Sequence, residues 1–214
     1  MATPQFRPWF FALAALFSGA SLVSAIVFHA PLWATLVVFT TLAAMGVAYR
    51  WRHTSAAGRV AVMAKVRTGM LAGLLGTCGY DLSRYTIAAV TKMSYRPFET
   101  LLVFGYALAG PGVSRATAYA LGTGFHLLNG ICFAIAYCLF FGGRDWRLAV
   151  LWALVLEAAM FSIYPTWLNL AAVKMEFTIV SFASHLAYGT ILGITSQLRL
   201  AAVKRMGNHR SGFS

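Results

Sequence analysis

The chain has 214 residues, of which 60% are hydrophobic and only 10% charged, and its mean hydropathy is +0.73. That is too apolar and too poor in charge for a soluble domain, which leaves an all-α polytopic transmembrane helix bundle as the class. A formal charge of +12 would suggest nucleic acid in a soluble protein. Here the basic residues punctuate apolar runs and no aromatic-interleaved basic surface accompanies them, so no nucleic-acid partner is expected.

After Arg7 comes an apolar run at 9–28, a break at His29-Ala30-Pro31, and a second run at 32–49. Together they predict an N-terminal transmembrane hairpin over 1–50. The first run has roughly the 20 residues a span needs and a poor cleavage pattern, so it reads as an anchor, not as a removed signal peptide. Residues 51–67 form a basic connector carrying Arg52, His53, Arg59, Lys65 and Arg67, which the positive-inside rule assigns to the cytoplasm.

A four-span core bundle is predicted over 68–198. Its spans are about 70–90, 116–141, 148–170 and 177–198. The apolar piece 98–109 is bounded by Pro97 and by Gly110-Pro111-Gly112. At about 1.5 Å per residue it is too short for a hydrocarbon core of ~30 Å, and it reads as a short re-entrant or interfacial helix. Residues 199–214 form a basic tail.

Six spans put Arg144, Arg147 and that tail on the side of the basic connector. The expectation is a multi-pass protein of the cell inner membrane with both termini cytoplasmic. Were 98–109 also to cross, the tail would lie outside. A reporter fused after Ser214 is therefore expected to read cytoplasmic, and a periplasmic reading would overturn the count. Cys78, Cys132 and Cys138 all fall in apolar spans without CxxC spacing, so no disulfide framework, zinc signature or redox motif is expected.

The stretch 69–85, GMLAGLLGTCGYDLSRY, puts Asp81 and Arg84 inside a membrane-length apolar segment. Charges there cost several kcal/mol at the bilayer centre, so they face the bundle interior. Steps of four back from Asp81 give Thr77, Gly73 and Gly69, a ridge of small residues suited to close helix approach. Counted at about 1.5 Å per residue from their charged flanks, Asp81, Glu157, His126 and His185 all lie ~14 to ~18 Å deep in a core of ~30 Å. Four helices thus bring one ionisable group each to one level, and these four are the candidate catalytic residues.

Arg84, Asn129 and Tyr188 are the candidates for holding a substrate. Arg84 has two readings: it neutralises Asp81 three residues away, or it holds an anionic group. Gly122-His126-Gly130 and Ser181-His185-Gly189 repeat one four-residue spacing, a faint parallel repeat. No cofactor is predicted outright. The one metal reading left open is a mononuclear site on His126, His185 and Glu157, which match a 2-His-1-carboxylate set. No HExxH or GxSxG motif is present.

Residues 69–198 resemble a group of small polytopic bacterial and archaeal membrane proteins of uncharacterised function. These have a Gly-rich opening helix, a His-containing middle helix and a closing helix of the form His-x-x-Tyr-Gly-x-x-Leu-Gly. Here the closing motif reads His185-Leu186-Ala187-Tyr188-Gly189-Thr190-Ile191-Leu192-Gly193. The resemblance implies a fold and no activity; Asp81-Leu82-Ser83-Arg84 and Glu157 lie outside its pattern.

Three functions remain open on the sequence. One is an intramembrane acid/base enzyme of isomerase, cyclase or hydratase type on a lipophilic small molecule, with a carboxyl as acid and an imidazole as base. Another is a small proton-coupled carrier, which at this length needs a homodimer to build two gated halves. The last is a non-catalytic membrane subunit whose polar centre fixes helix packing. The lipid bilayer is a partner in all three.

Overall fold

The computed structural model describes residues 8–168 and 171–211, and every regular element within them is a helix. In chain order these are α1 (Trp9–Ala15), α2 (Phe17–Val27), α3 (Leu32–Arg52), α4 (Ala56–Thr91), α5 (Glu99–Ala109), α6 (Arg115–Phe141), α7 (Trp146–Trp167) and α8 (Lys174–Ser211), with a 3-10 turn at Ala171–Val173 before α8. Five of them, α3, α4, α6, α7 and α8, are long and apolar enough to cross a membrane. The pair α1 and α2 makes a sixth if taken as one span bent by 48°. The fold class is the expected one, an all-helical bundle of membrane-length helices.

Three local features differ from the expected spans. The run 9–28 is not one straight helix. Leu16 N–H turns back to Leu13 O at 3.0 Å, and α2 restarts at Phe17 with Ser18-Gly19 in its first turn. A Ser/Gly pair is a common site of a kink, and Ser21 Oγ adds a 2.6 Å bond to Phe17 O at the same place. The basic connector is also much shorter than 51–67. Ser55 Oγ accepts from Gly58 N at 3.2 Å and caps α4 at Ala56, so Arg59, Lys65 and Arg67 ride on the opening turns of that helix. At the other end, α8 carries its helix on to Ser211, through most of the expected tail.

The short helix α5 lies antiparallel along α6. A Cβ on Gly105 would meet the Ala118 carbonyl, and one on Gly122 would meet that of Leu101. The two backbones touch at these glycines, which holds α5 as a second layer over the N-terminal half of α6.

In the core, α4 lies between α6 and α8, and α8 lies between α4 and α7, whereas the α6 and α7 backbones rarely come close and meet through Trp152 of α7 against Tyr137, Phe140 and Phe141 of α6. The small-residue ridge of α4 does face α6. A Cβ on Gly73 would come within 2.7 Å of Ile131 Cα, and one on Gly69 within 2.6 Å of Ile135 Cα. Without a hydrophobic drive between helices in lipid, such close approach is what generates van der Waals attraction. Ala72 and Tyr80 of α4, Ala134, Tyr137 and Cys138 of α6, Ala149 and Ala153 of α7, and Tyr188 and Leu192 of α8 share one buried cluster.

Candidate functional site

Each of the four central ionisable groups has a partner on a different helix. The Asp81 carboxylate on α4 receives His126 Nε2 from α6, at 3.0 Å from Oδ1 and 3.2 Å from Oδ2. The Glu157 carboxylate on α7 meets His185 Nδ1 from α8, with Oε2 at 2.7 Å. The same nitrogen lies 3.0 Å from Ser181 O. A carbonyl can only accept, so the proton sits on His185 Nδ1. Ser181 Oγ donates to Glu157 Oε2 at 3.0 Å.

Between the two dyads stands Tyr80. Its ring centroid is 5.8 Å from that of His126 and 4.9 Å from that of His185, the latter edge-on at 79°. Tyr80 was not singled out in the sequence. The available signal was its place beside Asp81, at the same depth.

Arg84 is 4% exposed and is held mainly by the α4–α5 connection. Its Nη2 donates to Tyr95 Oη and Thr100 Oγ1, each at 3.0 Å, and to the Pro97 carbonyl. Its Nη1 lies 3.6 Å from Asp81 Oδ1, and the guanidinium stacks over the Tyr80 and Phe98 rings. A buried guanidinium is tolerable only with this many acceptors. Tyr95 and Thr100 were likewise not singled out in the sequence, because nothing in a loop and a short helix tells which side chains turn inward.

Tyr188 Oη donates to Gly130 O at 2.7 Å, tying α8 to α6. Asn129 Oδ1 and Glu157 Oε1 are buried with no hydrogen-bond partner among the described residues. Buried polar atoms are nearly always paired, so each unpaired one calls for a specific cause.

A cavity of about 90 Å³ opens where the α6 and α7 backbones stay apart, past the contact of Trp152 with the α6 aromatics. His126, His185, Tyr80, Arg84, Asn129, Tyr188, Thr77, Thr100 and Tyr164 supply its polar lining, and Phe104, Phe133, Leu156, Met160 and Phe177 are among its apolar walls. The space is large enough for several waters or a short apolar chain. Asp81 and Glu157 stand behind the histidines and do not line it. Among the described residues, no three His, Cys, Asp or Glu side chains converge as metal ligands do.

The two dyads are set in matching frames. In each, an acid on the first helix meets a histidine on the second. The glycine four residues after that histidine lies against the residue four before the acid: Gly130 against Thr77, and Gly189 against Ala153. The α4/α6 pair thus corresponds to the α7/α8 pair, extending to the acids a likeness that the sequence carried only in Gly122-His126-Gly130 and Ser181-His185-Gly189. The correspondence fails at one place. The α4/α8 contact is extensive, its counterpart α6/α7 is sparse at the backbone and made by side chains at one end, and the cavity occupies the rest of that seam. No protein-family model matches the chain, and neither does any curated protein or solved structure.

Proposed function

We propose that this chain is a multi-pass inner-membrane enzyme that carries out acid/base chemistry on a small lipophilic molecule held between α6 and α7. One observation carries the reading: two imidazoles, each tied to a carboxylate through one ring nitrogen, line a single largely apolar cavity. The other ring nitrogen of each, Nδ1 of His126 and Nε2 of His185, makes no hydrogen bond among the described residues.

A carboxylate behind an imidazole fixes its orientation and stabilises the imidazolium formed when it takes a proton. Two such dyads in one chamber suit a reaction that removes a proton at one position and returns one at another, as isomerases and cyclases do. The apolar walls favour a hydrocarbon body, and Asn129 Oδ1 offers an acceptor to a polar end. The basic residues on α4, α8 and the α6–α7 loop support a cytoplasmic placement of both termini.

The test compares lipid extracts from a host expressing the wild-type chain with extracts from hosts expressing His126→Ala, His185→Ala or Glu157→Gln. Each variant is expected to lower the formation of any wild-type-dependent product by roughly 10²- to 10⁴-fold, the usual contribution of a positioned acid or base. The double variant Glu157→Gln/His185→Ala should be little worse than either single one, because groups acting as a unit are not additive. Loss of product in step with loss of folded protein would reduce the dyads to packing contacts.

A further inference from the structure

A second concave site lies at the opposite extreme in chemistry, at the arginine-rich end of the bundle. Arg59 and Arg67 on α4 and Arg199 on α8 line a cleft of about 560 Å³, with Thr68, Val60, Met63 and Val203 completing its walls. None of the three arginines is ion-paired among the described residues, whose ion pairs lie elsewhere. The chain has only five acidic residues. Asp81 and Glu157 serve the dyads, Glu99 and Glu176 bind groups at the other end, and Asp145 accepts the Arg147 N–H at the start of α7.

Two further observations point to a ligand. Thr68 is only 5% exposed, it lines the cleft, and its hydroxyl makes no hydrogen bond among the described residues. Arg59 is pre-positioned, since its Nε donates to Thr54 O at 3.0 Å and its guanidinium lies over the Trp51 ring at 5.7 Å. Thr68 and Arg199 sit where the apolar stretches of α4 and α8 begin and end, at the level of a lipid headgroup.

We propose that this cleft binds the phosphate of an anionic phospholipid, with Arg59, Arg67 and Arg199 neutralising the headgroup and Thr68 donating a hydrogen bond. Arginine matches phosphate oxygens by geometry as well as charge, and basic recesses between helices at this level suit acidic headgroups. The level of the cleft, where the apolar stretches of α4 and α8 begin and end, favours a lipid over a free phosphate ion, because a headgroup is held at that level by its own acyl chains in the bilayer.

The experiment uses the full chain in neutral detergent, with bound lipid counted by native mass spectrometry and the thermal midpoint followed as lipid is added. Phosphatidylglycerol is expected to bind and raise the midpoint, phosphatidylcholine and inorganic phosphate at equal concentration are not, and Arg67→Gln/Arg199→Gln should weaken binding about thirtyfold. Thr68→Val should weaken it severalfold, and this single buried change carries the test if the double variant does not accumulate. Lys204→Gln, outside the cleft, should leave binding unchanged. Equal stabilisation by inorganic phosphate would overturn the lipid as ligand. Equal binding of phosphatidylcholine, or equal losses from Lys204→Gln and Arg67→Gln, would overturn the site itself.

Discussion

Arg84→Met is expected to destabilise the folded chain by about 3–5 kcal/mol, the usual cost of breaking a buried charged contact by removing one partner. The loss has several parts. Tyr95 Oη, Thr100 Oγ1 and the Pro97 carbonyl each give up a donor, and Asp81 gives up the cation 3.6 Å away. These contacts fasten the α4–α5 connection onto α4, so α5 should loosen from α6 first. Arg84→Lys should recover little, since an ammonium cannot reproduce a planar fork that also stacks on Tyr80 and Phe98. Thermal unfolding in detergent reads the effect. A midpoint unchanged in both variants would mean that the guanidinium does not hold this connection.

A second large effect is expected at Gly189. Even a Cβ there would come within 2.7 Å of Val150 Cα and 2.8 Å of Ala149 O. These are backbone atoms that cannot swing aside. Gly189→Leu must therefore push α8 off α7, at the upper end of the ~1–3 kcal/mol typical of over-packing or beyond it. Gly189→Ala should give a smaller loss in the same direction. Leu192→Ala is the useful contrast: the side chain is fully buried, so trimming it removes packing, yet it leaves the helix separation alone. The Gly189 variant should also part His185 from Glu157 and lose activity beyond its loss of stability, whereas Leu192→Ala should keep activity in proportion to folded protein. Equal melting and equal activity in the two would show that α7 and α8 do not depend on touching at Gly189.

The long helices were legible because apolar length is a direct consequence of bilayer thickness, and the α4 ridge because a spacing of four places Gly69, Gly73 and Thr77 on one face. The common level of the four ionisable groups could likewise be counted along each helix. Which group meets which could not. Whether Asp81 turns to Arg84 on its own helix or to His126 depends on the rotation of α6 against α4, and periodicity in one helix does not fix its phase against another. The same gap hid Tyr80, whose place between His126 and His185 requires three helices to be set at once. The break at Leu16 was hidden for a different reason: Ser18 and Gly19 are ordinary in a transmembrane run, and hydropathy averages over them. That Arg59, Lys65 and Arg67 ride on α4 depends on the Ser55 cap at Ala56, a local hydrogen bond that the spacing of basic residues does not reveal.

The seam between α6 and α7 bears on how a molecule would reach the cavity. The connection there is Gly142-Gly143-Arg144-Asp145, with Gly143 at φ 86°, and the backbone of α7 lies mainly against α8, with Trp152 on the α6 aromatics and Tyr164 and Trp167 on Phe104 of α5. Two adjacent glycines at the base of a wedge can absorb a change in tilt with little torsional penalty. A small swing of α7 and α8 together would widen the seam while leaving the α4/α6 contact in place, but it would have to slide α8 along its extensive contact with α4. In this direction α2 packs its Leu22 and Ala25 across to Phe125 of α6 and Tyr164 of α7, so a hydrophobic molecule arriving by lateral diffusion in the bilayer plane would have to displace that helix on entering and on leaving. Turnover would then respond to membrane thickness and acyl-chain order, which set the resistance to that swing, and hardly at all to the viscosity of the aqueous phase.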